Sequence, residues 1–457
     1  GGAVAAAASG AGADVKNRVK TSVQAYIDGN RGNGIWFDIG NEECVVRNCL
    51  IADNEQAGIF KSMMQVRGQV KNFLGLTASL VNNHPKEIAT LLTVSEGTRG
   101  MSPNQFKRTF TKTIGFESGF TGKKKKVIGP QNEARLAKIT APRIDYVGLE
   151  DLKGKTMPAK KTSNVDVEMS AEQYKLYQLA LNKLGPLSEY ITRRDKNVTV
   201  KDANQLFGKI MEARRLSNSV HTGLKNVTPG ASAKRTPKAN RILQDTKAHL
   251  AKDPNNKVVL YSNLITGGVD VLSAGLESMG IDHSIFVGKG RDVGGRKISG
   301  MVRQGGVREF KEGKKRVIVL SSAGAEGLDL KDATAFYAMD GHFNPERILQ
   351  AEARARRLGG QSHRAPEKRV VDTRRYRSVA PKPKTFLGKI FKSTSPQTTD
   401  EWMYNTAGRK HRANESFTSI VHKPTKYLRK YRDTKGNIRY VYPKPAKKPG
   451  VFSRMFS

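Results

Sequence analysis

Short apolar runs alternate with stretches of helical periodicity over residues 237–380, and this rhythm constrains the fold more than any other feature of the chain. Four of the runs are typical of buried strands: KVVLYS (257–262), HSIFVG (283–288), RVIVLSS (316–322) and TAFYAMD (334–340). Helical stretches such as ANRILQDTKAHLA and VDVLSAGLESMG lie before or between them. Strands and helices that alternate at this spacing predict βαβ units around a parallel sheet, so we expect an α/β fold.

Similar but less regular runs lie upstream. CVVRNCLIA (44–52) is typical of a buried parallel strand that ends beside Asp53. FLGLTAS (73–79) predicts a second strand, which the helical stretch HPKEIATLLTV follows, and GKKKK (122–126) marks a basic loop. These features predict a smaller α/β unit with basic loops ahead of the regular one.

The segment between the two units has helical character. VDVEMSAEQYKLYQLALNKL (165–184) predicts a strand and then a helix. Ser170 is the candidate N-cap of that helix, and Gln173 stands at the third helical position, as in a capping box. We therefore expect a helical bridging region.

The net charge of the chain indicates the class of partner that it binds. Lys and Arg number 80 against 41 Asp and Glu, which gives this 457-residue chain a formal net charge of +39. Such an excess predicts a polyanionic partner, and nucleic acid is favoured over an anionic membrane because no amphipathic anchor stands out. No run of about 18 apolar residues occurs, so we expect no membrane partner.

Residues that commonly hold metals are scattered along the chain. Cys44 and Cys49 have no second ligand pair, and their number excludes a disulfide framework, so we interpret them as small apolar residues of one strand. His342, His363 and His411 are isolated in the sequence, and we interpret them as surface or packing residues. No metal site is expected.

The carboxyl-terminal part is basic. The turn signal TKGN between KYLRKYRD and IRYVYP predicts a β-hairpin that a Pro/Lys-rich tail follows. Tyr alternates with Lys and Arg here, which suits phosphate contact and base stacking, while a solvated tail that only aids solubility is the alternative. The candidate contact residues are Lys426, Arg429, Lys430, Arg432, Arg439, Lys447 and Lys448.

Small and basic residues collect after two of the predicted strands, at the sheet edge where parallel sheets bind ligands. RVIVLSS is followed by AGAEGLDL (323–330), and TAFYAMD is followed by GHFNPERILQAEARARRLGG. Arg354 and Arg357 are three residues apart and are therefore predicted to share one face of a helix. That face is either a solvated basic surface or a site that points at a phosphate.

In this order and at this spacing, VVLYSN, SSAGAEGLDL and MDGHFNPERILQAEARARRLGG resemble the second lobe of superfamily-2 helicases, specifically of Swi/Snf-type double-stranded DNA translocases. The resemblance implies tandem RecA-like lobes in which Arg357 and Arg354 reach the γ-phosphate of ATP bound to the first lobe, with Gln350 helping to place them. It also implies that double-stranded DNA is the nucleic-acid partner. In the family, Gly-Gln follows the second arginine, whereas this chain has Gly359, Gly360 and then Gln361.

The resemblance implies further roles at the end of the RVIVLSS run. The residues from Ser322 through Gly324 and Gly327 to Asp329 would link the nucleotide to the nucleic-acid groove. VEMSAEQYKLYQ resembles the entry into the bridging helices of the family, and DEWMYNTAGRKHRANESF (400–417) resembles the helix that packs back across the two lobes.

The first lobe departs from the family. LGLTASLVNN resembles the motif in which Thr77 would couple the lobes, but Leu80 replaces the usual Pro. Asp53 falls where the family has Asp-Glu and would hold Mg²⁺ through water, but the next residue is Asn54 instead of the Glu that orients the attacking water. The resemblance therefore implies an incomplete and degenerate first lobe.

The phosphate-loop pattern G-x-x-x-x-G-K-[ST] does not occur in the 457 residues, and GNRGNG (29–34) lacks the following Lys-Ser/Thr. We therefore expect no cofactor on this chain and no appreciable ATP hydrolysis by it alone. The alternative is an active translocase whose phosphate loop lies on a removed or companion fragment, with ATP and Mg²⁺ as cofactors. A host remodelling factor or nuclease subunit is disfavoured because no metal-ligand cluster accompanies the helicase motifs.

The chain starts with GGAVAAAASGAGADV, which has neither an initiator Met nor the charged region of a secretory signal. This start and the basic charge resemble helicase-like proteins that large-tailed phages carry in the virion and mature with a prohead protease. On that resemblance we expect a processed virion protein packed against genomic DNA or capsid, located in the phage head or the host cytoplasm.

The sequence thus predicts six segments. They are a Gly/Ala-rich and polar lead (1–34), a truncated first RecA-like lobe with basic loops (35–164), a helical bridging region (165–236), a second RecA-like lobe (237–380), a bracing helix (395–420), and a basic hairpin with its tail (421–457).

Overall fold

The computed structural model describes most of the chain from residue 36 to residue 442. The described residues are 36–40, 43–47, 64, 72–76, 80–81, 84–96, 100–117, 125–144, 146, 157–185, 188, 210–224, 226–288, 290–325, 328–342, 344–382, 396–433 and 438–442. The predicted lead over 1–34, Cys49 and the basic tail after 442 lie outside them.

The upstream part contains two small sheets and three helices among its described residues. Its elements are β1 (Trp36–Gly40), β2 (Glu43–Arg47), β3 (Asn72–Leu76), α1 (Glu87–Glu96), α2 (Pro103–Phe110), β4 (Thr111–Glu117), β5 (Lys125–Pro130) and α3 (Glu133–Thr140). β2 pairs antiparallel with β1 and parallel with β3, while β4 and β5 form an antiparallel pair. Of the strands predicted at 44–52 and 73–79, the described residues form β2 and β3, while residues 48–52 and 77–79 lie outside the described part; the helix predicted after them forms as α1.

The rest of the described chain contains the main sheet, its helices and a terminal hairpin. These elements are β6 (Ala159–Glu168), α4 (Ala171–Asn182), α5 (Met211–Asn218), α6 (Pro229–Arg235), α7 (Pro237–Lys252), β7 (Val258–Tyr261), α8 (Asp270–Ser278), β8 (His283–Phe286), β9 (Asp292–Val293), β10 (Arg296–Lys297), α9 (Gly300–Glu312), β11 (Val317–Leu320), β12 (Ala335–Ala338), α10 (Pro345–Ala355), β13 (Val370–Val379), α11 (Thr399–His422), β14 (Arg429–Arg432) and β15 (Ile438–Val441).

Six strands form one sheet in the order β6-β13-β12-β7-β11-β8, and every neighbouring pair is parallel. The predicted α/β class with a parallel sheet is confirmed. The four predicted strand runs become β7, β8, β11 and β12. The sequence did not indicate β13, and it placed the strand before α4 in the bridging region, whereas β6 pairs with β13 along its whole length.

The core fills both faces of this sheet, as expected when helices cover a parallel sheet on both sides. Alternate strand residues point to opposite faces. Val258, Leu260 and Tyr337 belong to the cluster that packs under α7 and α8, whereas Val259, Tyr261 and Phe336 belong to the cluster that packs under α9 and α10. Because every residue of β7, β11 and β12 is buried, these strands read as continuous apolar runs in the sequence.

The first turn of α4 follows the sequence prediction only in part. The Ser170 side chain accepts a hydrogen bond from the backbone N–H of Gln173 at 3.2 Å, so Ser170 is the N-cap. The Gln173 side chain does not close a capping box. Its amide donates instead to the carbonyls of Leu216 (2.8 Å) and Ser217 (3.2 Å), and so ties α4 to α5.

The long helix α11 packs against both parts of the chain. It begins with a complete capping box between Thr398 and Glu401. Near its start, Trp402 and Met403 join the core formed by α4 and α5. Near its end, Phe417 and Ile420 join the core formed by α1, α2 and α3. The helix therefore fixes the upstream part and the hairpin to the second lobe.

Candidate nucleotide and nucleic-acid site

The helix that carries the predicted arginine pair is shorter than the sequence suggests. The side chain of Asn344 accepts a hydrogen bond from the Glu346 N–H at 3.0 Å and so caps the start of α10. Ile348 and Ala351 then face the sheet. The helix ends at Ala355, ahead of two glycines, the first of which has a positive φ of 71°.

The prediction that Arg354 and Arg357 share one helical face is therefore wrong. Arg354 lies in the last turn of α10, and its carbonyl accepts a hydrogen bond from the Leu330 N–H at 3.2 Å. Arg356 leaves helical geometry at the C-cap, and its Nε donates to the Pro158 carbonyl at 2.6 Å. Arg357 consequently extends from the segment after the helix.

The structure does bring Arg357 to Asp329, another predicted site residue. Nη2 of Arg357 donates to the Leu328 carbonyl at 3.0 Å, and its Nε lies 3.7 Å from Oδ1 of Asp329. Both of these facing atoms are buried and make no hydrogen bond within the described part of the chain, although each side chain as a whole is more than one-third exposed. Because the Arg357 side chain is 36% exposed, a phosphate oxygen can approach it, and a guanidinium is a chemically suitable donor for such an oxygen.

The carboxyl end of β11 borders the arginine helix. Ser322 and Gly324 lie in a single 3₁₀ turn (Ser322–Ala325) that packs against α10. The side chain of Gln350 is half-buried on that helix. The predicted site residues do not all gather at this carboxyl edge of the sheet. α10 runs back along β12, and the Arg354 carbonyl near its end accepts a hydrogen bond from the N–H of Leu330, which lies before β12.

A buried carboxylate that the sequence did not reveal holds α10 in place. Oε1 of Glu352 accepts hydrogen bonds from Nε (2.9 Å) and Nη2 (2.7 Å) of Arg375 in β13, and its Oε2 contacts the Lys160 ammonium in β6. Two cations thus neutralise the one buried charge. Because these partners come from the edge strand β6 and its neighbour β13, this carboxylate ties the arginine helix to that side of the sheet.

A second buried carboxylate, Asp340, lies at the end of β12. It accepts hydrogen bonds from the backbone N–H (3.0 Å) and side-chain amide (2.8 Å) of Asn263, from the Asn218 amide (3.1 Å) and from the Ser262 hydroxyl. The Arg214 guanidinium lies 3.7 Å away. This network joins α5 to the ends of β7 and β12. The sequence offered one signal for it, an acidic residue directly after an apolar run.

Comparison with known proteins finds a family match in the second lobe. Residues 238–359 match the helicase conserved C-terminal domain family. With the helicase relatives below, this match confirms the resemblance to superfamily-2 helicases of the Swi/Snf type.

The helicase relatives are much longer than the shared region. A protein of Acanthamoeba polyphaga mimivirus, named as an ATP-dependent RNA helicase, is 30% identical over 30% of this chain and 29% of its own length. The chromodomain-helicase-DNA-binding protein 3 homologue of Caenorhabditis elegans is 25% identical over 70% of this chain and 17% of its own length. The chain thus spans less than a third of each of these two relatives.

The solved structures that are similar to this chain include SWI2/SNF2 ATPase domains. One is the SWI2/SNF2 ATPase core of Sulfolobus solfataricus in complex with double-stranded DNA. It is 16% identical, with 83% of this chain and 72% of that chain covered and a TM-score of 0.37.

The histidines in and near the second lobe serve packing and ion pairing. Burial lowers the pKa of His342 to about 4, and its Nδ1 accepts a hydrogen bond from the Asn344 N–H at 3.0 Å. His411 lies 3.7 Å from the Glu346 carboxylate, whose interaction raises the pKa of His411. Among the described residues, no group of three or more His, Cys, Asp or Glu could hold a metal ion.

The predicted basic hairpin follows the helicase lobe and its bracing helix. β14 and β15 pair antiparallel, with Arg429 opposite Val441 and Tyr431 opposite Arg439. The basic side chains in and before it are largely exposed: Lys426, Arg429, Lys430, Arg432 and Arg439.

Five of the predicted site residues belong to parts of the chain that the structure does not describe. Asp53, Thr77, Gly327, Lys447 and Lys448 lie outside the described residues. Their roles stay predictions from the sequence. Of the helices that the structure describes, none has the length and apolar character needed to cross a bilayer.

Proposed function

We propose that this chain is a nucleic-acid-binding protein with a superfamily-2 helicase fold, that double-stranded DNA is its main partner, and that it does not hydrolyse ATP on its own. The observation that carries the proposal is the helicase C-terminal domain over residues 238–359. Domains of this type act on nucleic acid, and nothing in the described residues points to another chemistry.

Charge supports the choice of partner. A net charge of +39 on 457 residues creates a positive potential that attracts a polyanion. The exposed hairpin residues Arg429 and Lys430 add basic groups close to the end of α11. Backbone phosphates supply most of the non-specific affinity of DNA-binding proteins, and Lys and Arg are the residues that contact them.

The test of this proposal is the salt dependence of DNA affinity. If about three phosphates are contacted, the affinity for a 20-base-pair duplex is expected to fall about 40-fold between 50 and 200 mM salt, because bound counterions are released on binding. Fluorescence anisotropy with a labelled duplex measures this slope. Affinity that stays the same across that range, or no binding at 50 mM, contradicts the proposal.

The chain supplies the arginine side of a nucleotide site. The Arg357 side chain is 36% exposed beside Asp329, which fits a phosphate that approaches from a facing lobe. ATP, when bound there, would supply the γ-phosphate that Arg357 and Arg354 contact. The 457 residues contain no phosphate-loop pattern, so we propose that hydrolysis needs a phosphate-binding segment from another fragment.

An ATP-dependent DNA translocase assembled from this chain and such a fragment is the second candidate. The observation that favours it is the retention of both arginines, with Arg354 in the last turn of α10 and Arg357 partly exposed in the segment after it. Addition of a fragment that carries a phosphate loop would then produce DNA-stimulated ATP turnover.

We further propose that the protein is a proteolytically matured virion component of a phage that contacts genomic DNA or capsid in the particle. Its support is the high positive charge and the similarity to a viral protein. Mass spectrometry of purified virions tests this location, and detection only in the host cytoplasm would count against it.

A further inference from the structure

The terminal hairpin has two chemically different faces. In an antiparallel pair, residues directly opposite each other point to the same side, and successive residues point to opposite sides. Lys430 and Tyr440 are opposite each other and share one face, together with Tyr442. The other side, which we name the outer face, consists of Arg429, Tyr431, Arg439 and Val441.

The face of the hairpin that carries Tyr440 packs against the upstream part of the chain. Tyr440 packs against the core of α1, α2, α3 and α11, and Leu428, which leads into β14, is buried in the same core. The Lys138 ammonium of α3 lies 4.5 Å from the ring centre of Tyr442. An isolated two-stranded hairpin is only marginally stable in water, so this docking gives the hairpin a fixed position.

The outer face is exposed and carries an aromatic ring among cations. Tyr431 is 43% exposed and Val441 is 36% exposed, while the Arg439 side chain is 57% exposed. Oδ2 of Asp433 accepts a hydrogen bond from Nε of Arg439 at 2.9 Å and so orients that guanidinium. Arg439 lies directly across from Tyr431, and Arg429 lies two residues before it on the same face.

We propose that the outer face binds single-stranded nucleic acid. One unpaired base stacks on the ring of Tyr431, and Arg429 and Arg439 contact the phosphates on either side of it. A base can stack on a side chain only when its own π-face is accessible, as in a single strand, and charge complementarity suits the two arginines to the backbone. The inference rests on the proposed function, that the chain binds nucleic acid, and goes beyond it by assigning the hairpin a single-stranded ligand in addition to the double-stranded DNA bound by the chain.

The test compares a labelled 12-nucleotide oligo(dT) with a 12-base-pair duplex. Tyr431→Ala is expected to weaken oligo(dT) binding about tenfold or more, because a stacking contact is lost, and to leave duplex affinity within about twofold. Tyr431→Phe keeps the ring and is expected to bind oligo(dT) like the wild type. The matched control is Tyr442→Ala, which removes a similarly exposed ring (46%) from the docked face and should have little effect.

The roles of Arg429 and Arg439 are tested through the salt slope, which is the slope of log affinity against log salt concentration. Arg429→Gln and Arg439→Gln are each expected to reduce the salt slope for oligo(dT) by about 0.7, the share of one phosphate contact on a single strand. Arg296→Gln removes one positive charge from β10, far from the hairpin in sequence and ion-paired with Glu277, and should leave the slope unchanged.

Three outcomes overturn the inference. Oligo(dT) affinity of Tyr431→Ala within twofold of the wild type rejects stacking while the proposed function stands. Equal losses for oligo(dT) and duplex reject the preference for a single strand and indicate that the hairpin enters a duplex groove. No binding of either probe by the wild-type chain rejects this inference together with the proposed function.

Discussion

Asp400→Ala is expected to lower the free energy of unfolding by about 3–5 kcal/mol, because it leaves a buried lysine without its counter-charge. Nζ of Lys238 donates to Oδ2 of Asp400 at 2.5 Å, and the two side chains are 0% and 2% exposed. The same oxygen accepts the Ser378 N–H at 2.8 Å. One carboxylate thus joins α7, β13 and the first turn of α11. Urea denaturation followed by circular dichroism measures the change.

A double variant distinguishes the cost of an unpaired buried charge from the cost of altered packing. Lys238→Met with Asp400→Asn removes both charges, keeps an acceptor for Ser378, and is expected to lie within about 1.5 kcal/mol of the wild type. A loss below about 1 kcal/mol for Asp400→Ala would show that the pair contributes little. A double variant as unstable as the single one would show that packing, and not the unpaired charge, sets the cost.

Lowering the pH from about 6.5 to about 4 is expected to destabilise the second lobe through its buried histidines. Burial lowers the pKa of His342 to about 4, and burial also lowers the pKa of His249 to about 4. The unfolded chain takes up these protons near the ordinary value of 6.5, so in this window the unfolded state binds more protons than the folded state. The stabilisation is complete above pH 6.5 and is lost as the pH falls, by up to about 3 kcal/mol for His342.

Replacement of single histidines checks this assignment. His342→Asn keeps an acceptor for the Asn344 N–H and is expected to flatten the fall of stability between pH 6.5 and 4. His411→Asn is the control, because the pKa of His411 is raised and its protonation favours the folded state at low pH. That variant should not flatten the curve. A profile of His342→Asn that coincides with the wild type would contradict the assignment.

The sequence predicted the strands in which every residue is buried. β7, β11 and β12 are buried along their whole length and appear in the sequence as apolar runs. β13 was missed because three of its ten residues are arginines, of which Arg374 is paired with Asp372 and Asp245, and Arg375 with Glu352. The pairs with Asp245 and Glu352 can be seen only in the folded chain, since these acids are far from Arg374 and Arg375 in sequence.

The sequence predicted some residues of the candidate site but not the groups that hold them in place. The family pattern led to Arg357 and Asp329, and the structure places them 3.7 Å apart. The family pattern did not indicate that α10 ends before Arg357. At that end Arg356 donates to the carbonyl of Pro158, which is distant in sequence. Asp340 and Glu352 were missed for the same reason, since several of their partners come from distant parts of the chain. Spacing in the sequence identifies a motif, but it does not identify the groups that hold the motif in place.

The conformation of Arg357 is consistent with a role that needs a second component. Its guanidinium donates to the Leu328 carbonyl and faces Asp329, both in the loop after β11 of its own lobe. A phosphate would have to compete with these contacts or use the remaining N–H. An arginine held in this way can stabilise charge on a transferring phosphoryl group only when a facing site presents that group.

ATP turnover by the purified 457-residue chain tests the central claim most directly. Hydrolysis is measured with Mg²⁺ and saturating double-stranded DNA, for the wild type and for Arg357→Ala, under salt conditions in which both bind the DNA. We expect DNA binding with no turnover above background and no difference between the two proteins. DNA-stimulated hydrolysis by the wild type that Arg357→Ala lacks would contradict the claim and identify the chain as a complete motor.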